Sequence, residues 1–440
     1  MRKIILSTLA LAAAVVVLHA EGYQLNLNST KQAGMGNTGV ALKLGSESMI
    51  YNPAGLSFIN GSVGFAAGVT GVRSFVSYEN GSYKAETDNP LGTPLFFYAG
   101  FKITKNLAAG VSLNNPAGNS IFWPENWNGA TIVQNSKLQV FSVQPTLSLK
   151  FLDDKLSIGA GAMVMWGSFS QAKALIAPNA LASLAGLIPA LGQYTDVVPV
   201  SAKLYGDAKI NYGFNVGLLF TPIPQLSIGV SYRSKVDMKV DEGNTDLIYA
   251  DDAMKQILSG LAQYGVTVPP LDQSTFSASM PIPANLNFGF SFRPSNELLL
   301  TAEGHWVGWG VFEELVIKYD AKLGNLEIKN PKEYKNTMIY RFGGQWTAFP
   351  SFDLRLGFYY DTTPVDLTLY TPETPGSNKM AFTGGFSYRP VGGLSVDVAF
   401  TYSNGAKTSG SFPTEAGKPA FTGDYKVYAL LPSFGLSYNF

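Results

Sequence analysis

Over most of its length the chain alternates apolar and polar residues with a period of two. Leu394, Val396, Val398, Phe400 and Tyr402 alternate with Ser395, Asp397 and Thr401, and Leu286, Phe288, Phe290 and Phe292 with Asn285, Asn287, Ser291 and Arg293. The same period runs through 226–233 and 352–361. Period two gives a strand with one apolar and one polar face. Strands of a soluble sandwich share this alternation but are typically about 5–6 residues long. The alternating segments here run past ten residues, the length that a tilted membrane strand requires. The pattern predicts fourteen strands, at about 62–78, 92–104, 106–123, 136–152, 154–171, 203–221, 224–240, 282–294, 296–316, 332–349, 351–363, 379–389, 393–404 and 425–440.

The connections alternate in length. Leu152-Asp153-Asp154-Lys155, Thr221-Pro222-Ile223-Pro224, Arg293-Pro294-Ser295-Asn296 and Arg389-Pro390-Val391-Gly392-Gly393 are turn-like, and the segments between them are long. An even count with short turns on one side and long loops on the other fits an all-β, antiparallel transmembrane barrel with periplasmic turns and extracellular loops. The last strand alternates Phe434, Leu436, Tyr438 and Phe440 with Gly435, Ser437 and Asn439. Its aromatic end resembles the signal by which bacterial barrel proteins are received by the barrel assembly machinery. In a soluble protein it would leave an adhesive strand edge.

Ahead of the strands, 21–61 has a Gly in nearly every short window, no sustained apolar period, and an Asn52-Pro53-Ala54 turn near its end. Gly and small polar residues bury too little to offset chain entropy. Threading through the barrel as a plug, or hatch, would order the segment; a disordered leader is the other reading of this composition. Before it, Arg2 and Lys3, the apolar run from Ile4 to Leu18, and Leu18-His19-Ala20 have the three parts of a cleaved secretory signal over 1–20.

Composition narrows the class. The 440 residues carry 31 basic and 31 acidic side chains and no cysteine. Balanced charge offers no footprint for nucleic acid. Absent cysteine excludes a lipid-anchored cysteine, disulfides and thiolate metal sites, and neither a metal nor a cofactor is expected. Aromatics reach 13 % while charged residues stay at 14 %, against the roughly 25 % charged of a soluble domain. No stretch after the signal approaches twenty apolar residues, so an exported chain of this kind belongs in a Gram-negative outer membrane, crossing it with strands.

Two predicted extracellular loops, 172–202 and 241–281, are apolar, and both are expected to be helical. The first contains Leu181, Leu184 and Leu187 among other aliphatic residues, broken by Pro178 and Pro189; the second reads as a helix capped by Asp251, with Ile257, Leu258 and Leu261 on one face. Such loops are costly in water unless they cover each other or hold something greasy, and both can hold. In the third strand Pro116 lacks a ladder donor and Gly118 weakens pairing, so an interruption at Pro116-Ala117-Gly118 follows. A rim bulge is the plainer reading.

Together these features resemble the FadL family, outer-membrane channels for long-chain fatty acids and other hydrophobic molecules. The resemblance spans the whole mature chain. It rests on Gly22-Tyr23-Gln24-Leu25-Asn26 and Asn52-Pro53-Ala54, on Tyr232-Arg233-Ser234-Lys235-Val236, on Trp309 with Phe312, and on Asp361 with Thr363-Pro364-Val365. It implies passive uptake by a monomer. A ligand would meet a groove between the two apolar loops, move to a pocket in the lumen, pass after a hatch change, and leave sideways into the membrane where the third strand kinks. The family's pocket holds the ligand's polar head with basic residues. Lys173 falls at the matching place, where well-known members have an arginine, and its parity with Ser157, Gly159 and Gly161 turns it to the lumen. Lys318 is near the second expected position but two residues off, and alternation from Leu298 turns it outward. A solvated loop-base lysine is the other reading of each.

Two rival functions use the same residues. A lipid hydrolase needs a nucleophile and a positioned base; after the signal the chain has one histidine, His305, beside Glu303 in polar parity, with no serine paired to it by sequence. A general porin or structural barrel would not need the hatch-like start or the apolar loops.

Overall fold

The computed structural model describes residues 22–186, 188–261, 268–320, 323–324, 326–414 and 419–440. The signal segment read over 1–20 lies outside them. Two short helices, α1 (Thr30–Ala33) and α2 (Ser48–Tyr51), belong to the N-terminal segment. The wall begins with β1 (Val63–Thr70) and β2 (Arg73–Asn80), with β3 (Tyr83–Glu86) folded back on β2. Then come β4 (Leu95–Lys102), β5 (Leu107–Phe122), β6 (Asn135–Phe151), β7 (Leu156–Ala174) and β8 (Val200–Ile223). Like β1 with β2, four further wall strands are two-part: β9 (Leu226–Arg233) with β10 (Val236–Tyr249), β11 (Ser274–Ile282) with β12 (Asn285–Phe292), β13 (Leu298–Val307) with β14 (Glu314–Tyr319), and β15 (Glu327–Pro331) with β16 (Thr337–Phe349). The rest are β17 (Phe352–Asp361), β18 (Lys379–Tyr388), β19 (Leu394–Gly405), the short outer β20 (Thr408–Phe412) and β21 (Phe421–Asn439).

These make a closed, fourteen-stranded antiparallel barrel. Closure runs from Gly64↔Asn439 to Thr70↔Ser433 between β1 and β21, and the Phe440 carbonyl accepts from Ser62 N (2.6 Å) and Val63 N (2.9 Å). Phe288, Phe290, Leu354, Leu356, Phe434 and Leu436 are exposed on the outside, whereas Ser227, Ser231, Ser291 and Thr383 are buried on the lumen face. A closed ladder leaves no edge strand, and satisfies the main chain where lipid offers no partner.

The apolar loops are shorter than their sequence bounds, because β10 continues to Tyr249 and β11 begins at Ser274. Those extensions stand where no apolar outer face is needed, so hydrophobic period could not mark them. Likewise β7 reaches Ala174 and β8 starts at Val200. Among the described residues between them lie two 3-10 turns, Ala182–Leu184 and Pro189–Tyr194, rather than an α-helix; Pro178, Pro189, Gly186 and Gly192 interrupt any longer run. The second loop carries α3 (Asp252–Gly260), capped by the Asp251 carboxylate on Met254 N.

Residues 22–61 lie in the lumen, largely buried. Wall side chains supply much of what their main chain lacks. Ser148 Oγ and Ser157 Oγ donate to the Ala54 carbonyl (2.8 and 3.0 Å), and Gln144 and Asn215 to that of Met49 (2.8 and 2.9 Å). Glu303 Oε1 accepts from Gly39 N and Val40 N, both at 2.7 Å. Gly36, at φ +68°, turns against the Phe342 and Phe358 main chains, where a side chain would have neither room nor a relaxed conformation. The Asn52-Pro53-Ala54 turn presses on two wall glycines: a Cβ at Gly159 would lie 2.3 Å from Pro53 C, and one at Gly217 2.0 Å from Asn52 Oδ1.

Gly217→Val should therefore unseat this turn without opening the wall. Overpacking of this kind costs about 1–3 kcal/mol, so the temperature at which the unboiled form converts to the unfolded band on a detergent gel should fall while circular dichroism stays dominated by strand. An unchanged conversion temperature would contradict this seating.

Candidate functional site

Tyr23 is the first side chain inside the lumen to carry weight. Its ring meets Trp309 edge-on at 4.9 Å and Phe312 at 5.9 Å, and its hydroxyl donates to the Pro281 carbonyl. Beside it lies a narrow cavity walled chiefly by apolar residues such as Phe169, Met238, Phe276, Phe312 and Ile317. Its charged residues are Lys332 and Glu373, whose side chains pair at 3.1 Å with 5 % and 15 % exposure. Glu373 rides on the loop after β17, which is drawn inward: Trp123 Nε1 donates to Pro372 O (3.0 Å), and Asn119 Nδ2 to Glu373 O (3.1 Å).

Lys173, half-buried at the end of β7, is not among the residues lining this cavity but is influenced by the same Glu373 carboxylate. Lys318 lies elsewhere, 62 % exposed on β14 and 3.3 Å from Glu327. Neither Lys332 nor Glu373 stands in an alternation or a motif that a sequence reading could use. The inward fold of the loop after β17 brings Glu373 to Lys332.

At the third wall strand the β5–β6 ladder is broken between Asn114 and Ala117. On the other side β4 begins only at Leu95, opposite the stretch just before the break, so upper β5 has no β4 partner. The N-terminal segment takes that place: Leu25 N donates to Pro116 O and Gly118 N to Tyr23 O, both at 2.9 Å, around a Gln24↔Ala117 bridge. Asn115 stitches the flanks, accepting from Leu95 N and donating to Val140 O, each at 3.0 Å. Farther in, Asn52 caps the turn through Ala54 N (3.1 Å) and donates to Val40 O (2.7 Å) and, on the wall, to Leu218 O (3.0 Å).

In the apolar loops Leu181, Leu258 and Leu261 are buried in one cluster with Leu191, Tyr194 and Met254, and Leu184 and Ile257 pack partly buried against it. Leu187 lies outside the described residues. Tyr194 donates to Asp251 (2.7 and 2.9 Å to its two oxygens), latching the two loops together. The Met254 N–H, then that hydroxyl, hold the Asp251 carboxyl below its usual range. A carboxyl depressed in the folded state stabilises above its unfolded value of about 3.9 and loses this only as pH falls below it, so the latch should hold across neutral pH.

His305 Nε2 lies 2.9 Å from Glu303 Oε2, so its visible partner is the carboxylate that holds Gly39 and Val40.

A family model described as outer membrane protein transport protein (OMPP1/FadL/TodX) matches residues 10–440. By sequence the chain is 22 % identical over 239 residues to a long-chain fatty acid transport protein of Escherichia coli, covering 54 % of this chain and 51 % of that one. A 47 kDa outer membrane protein of Pasteurella multocida is also matched over about half its length, 53 %. A FadL homologue from Pseudomonas aeruginosa shares the fold at TM-score 0.79 and 20 % identity, over 96 % of this chain and all of that one. The Pseudomonas putida toluene transporter TodX does so at 0.71 and 17 %, over 96 % and 99 %.

Removing one partner of a buried ion pair strands the other. Glu373→Gln should thus destabilise the barrel toward the low end of about 3–5 kcal/mol, since Glu373 is not fully enclosed. Adding Lys332→Met should recover most of the loss in a denaturant titration. A neutral single change would mean that the pair is solvated.

Proposed function

The chain belongs to the OMPP1/FadL/TodX family of outer membrane transport proteins, whose members are channels rather than enzymes, and on that premise we propose that it admits long-chain fatty acids or similar hydrophobic molecules passively. The observation that carries the reading is an apolar cavity with the Lys332–Glu373 pair at one place in its wall, beside a hatch end that seals a break in the barrel. A sixteen-carbon tail buried at ~0.8 kcal/mol per CH₂ gains roughly 10 kcal/mol gross, and a charged head-group contact adds about 1.5–3 kcal/mol. The tail supplies affinity and the lysines orient it.

The proposed route starts at the loops, where Leu181, Leu184, Leu187, Ile257, Leu258 and Leu261 receive the tail as the Tyr194–Asp251 latch opens. The ligand then enters the cavity, where its carboxylate replaces Glu373 beside Lys332 and Lys173. Lys318, paired on an exposed hairpin, is given no part in it. Moving Tyr23 to Leu25 off β5, with the Asn52-Pro53-Ala54 turn as the fixed end, opens a way past Pro116, Ala117 and Gly118 into the membrane. Ligand drives this only by binding the two hatch arrangements unequally. The unit is a monomer, delivered by a cleaved signal and received by the barrel assembly machinery through the strand ending at Phe440.

Two measurements test this. Gly118→Trp, whose first side-chain atom would sit 3.1 Å from Leu25 Cδ1, should abolish uptake at equal surface expression while leaving ligand binding nearly intact; uptake at the wild-type rate would exclude this exit. Lys173→Ala should weaken binding of a long-chain acid by about 1–3 kcal/mol, roughly five- to 150-fold, and scarcely alter binding of its methyl ester. Equal losses for both would reduce Lys173 to a structural residue, and no loss for either would favour uncharged hydrocarbons as substrates.

A further inference from the structure

The wall has a second interruption. β8 pairs with β9 from Ile223↔Leu226 up to Asn215↔Arg233, and with β10 from Tyr205↔Asn244 up to Val200↔Tyr249. Between these ladders, residues 206–213 and 235–243 have no ladder pairing with each other among the described residues. The rung below is finished by a serine: Ser234 N donates to Phe214 O, and Phe214 N to Ser234 Oγ, both at 2.9 Å. Register shifts flank the seam on either side, at Met165/Gly167 between β7 and β8 and at Val240/Gly243 between β10 and β11.

Unpaired strand is costly in hydrocarbon, and the height of the seam makes it tolerable. Below it the exposed residues of these strands are apolar, Phe214, Val216, Leu218 and Val230; within it charged residues are exposed as well, Asp207, Lys209, Lys235 and Asp241. Ile210 and Tyr212, 57 % and 74 % exposed, mark the boundary, the level at which aromatic rings settle between lipid tails and water. The seam therefore opens at the head groups of the outer leaflet.

Among the described residues, side chains do most of the closing. Gly206 and Gly213 leave room for two valines: a Cβ at Gly206 would lie 2.8 Å from Val240 Cγ1, and one at Gly213 2.5 Å from Val236 Cγ2. Outside, Lys209 Nζ lies 2.8 Å from Asp241 Oδ2, with side chains 66 % and 48 % exposed, a pair of little strength. Inside, Ala208, Met238 and Val240 are the wall of the cavity itself. The break in β5 is different, because the main chain of the N-terminal segment seals it.

We propose that this seam is a side portal through which single-chain amphiphiles dissolved in the outer leaflet enter the cavity directly, without passing between the loops. The inference rests on the uptake reading above and adds an entrance to it. Entry occurs where side chains alone must part, and exit waits on release of the hatch. Lys209 and Asp241 act as an outer latch.

The chain has no cysteine, so Gly213→Cys with Val236→Cys gives one defined crosslink, at a spacing a disulfide can span. The protein is reconstituted in vesicles that already carry a dansyl-labelled long-chain fatty acid, and loading is followed by the rise in dansyl emission. With the bond closed, loading from the membrane should fall to the rate of protein-free vesicles and return on reduction, while probe added from water still loads. Lys209→Asp, which faces Asp241 with a like charge, should speed loading from the membrane about two- to fivefold. Equal rates in the oxidised and reduced forms, with binding intact, overturn the portal alone. A wild-type protein that binds the probe from neither side overturns the uptake reading beneath it.

Discussion

The structure depends on satisfying a buried main chain whose own secondary structure is limited to short helical turns. A closed wall settles its own hydrogen bonds, but residues 22–61 carry amides and carbonyls into a lumen crowded with protein. An unpartnered buried group costs about 1–3 kcal/mol, so the wall must answer them. It does so with short polar side chains aimed inward: Ser231 to the Tyr51 carbonyl (2.7 Å), Ser291 to that of Ala41 (2.8 Å), Arg341 to that of Asn37 (2.7 Å). The lumen-facing serines, glycines and asparagines along the strands are therefore a template for the segment within them, as much as the polar half of an alternation.

A segment held this way can be displaced in parts. Near Asn52 it is pinned by several wall groups at once, whereas Tyr23 to Leu25 are tied to β5 by two main-chain bonds and a ring packed on Trp309 and Phe312. Each such bond contributes only about 0.5–1.5 kcal/mol net. On the proposed route, a ligand in the adjoining cavity that competes for Tyr23's apolar neighbours would have enough binding energy to shift this end and leave the rest in place. The ion pairs divide in the same way: Lys31 to Glu47 (2.9 Å) lies within the pinned part, and Lys332 to Glu373 lies beside the end tied to β5.

The sequence was most legible where one physical demand acted on every second residue. Lipid outside and polar partners inside imposed the period that marks 286–293 and 394–402, and the strand that ends at Phe440 closes on β1 as its alternation implied. Pro116 and Gly118 announced the break in β5 because backbone chemistry alone determines it. Where neither lipid nor backbone chemistry acts, the signal disappeared. The upper parts of β10 and β11 stand above the apolar band and read as loop. The break between β8 and β10 contains no proline, and its glycines, Gly206 and Gly213, are unremarkable among the 46 in the chain. Lys332 and Glu373, 41 residues apart, meet only because one loop folds inward, which no local pattern encodes.

On the proposed route, ligand in the cavity frees the first residues of the hatch from β5. Hydrogen exchange at the Leu25 and Gly118 amides reads this most directly, since each donates one of the two bonds that seal the break. With saturating long-chain fatty acid both amides should exchange faster, and together, while those of β17 and β18 stay protected. Unchanged protection at Leu25 and Gly118 in protein that is transporting ligand would contradict the account.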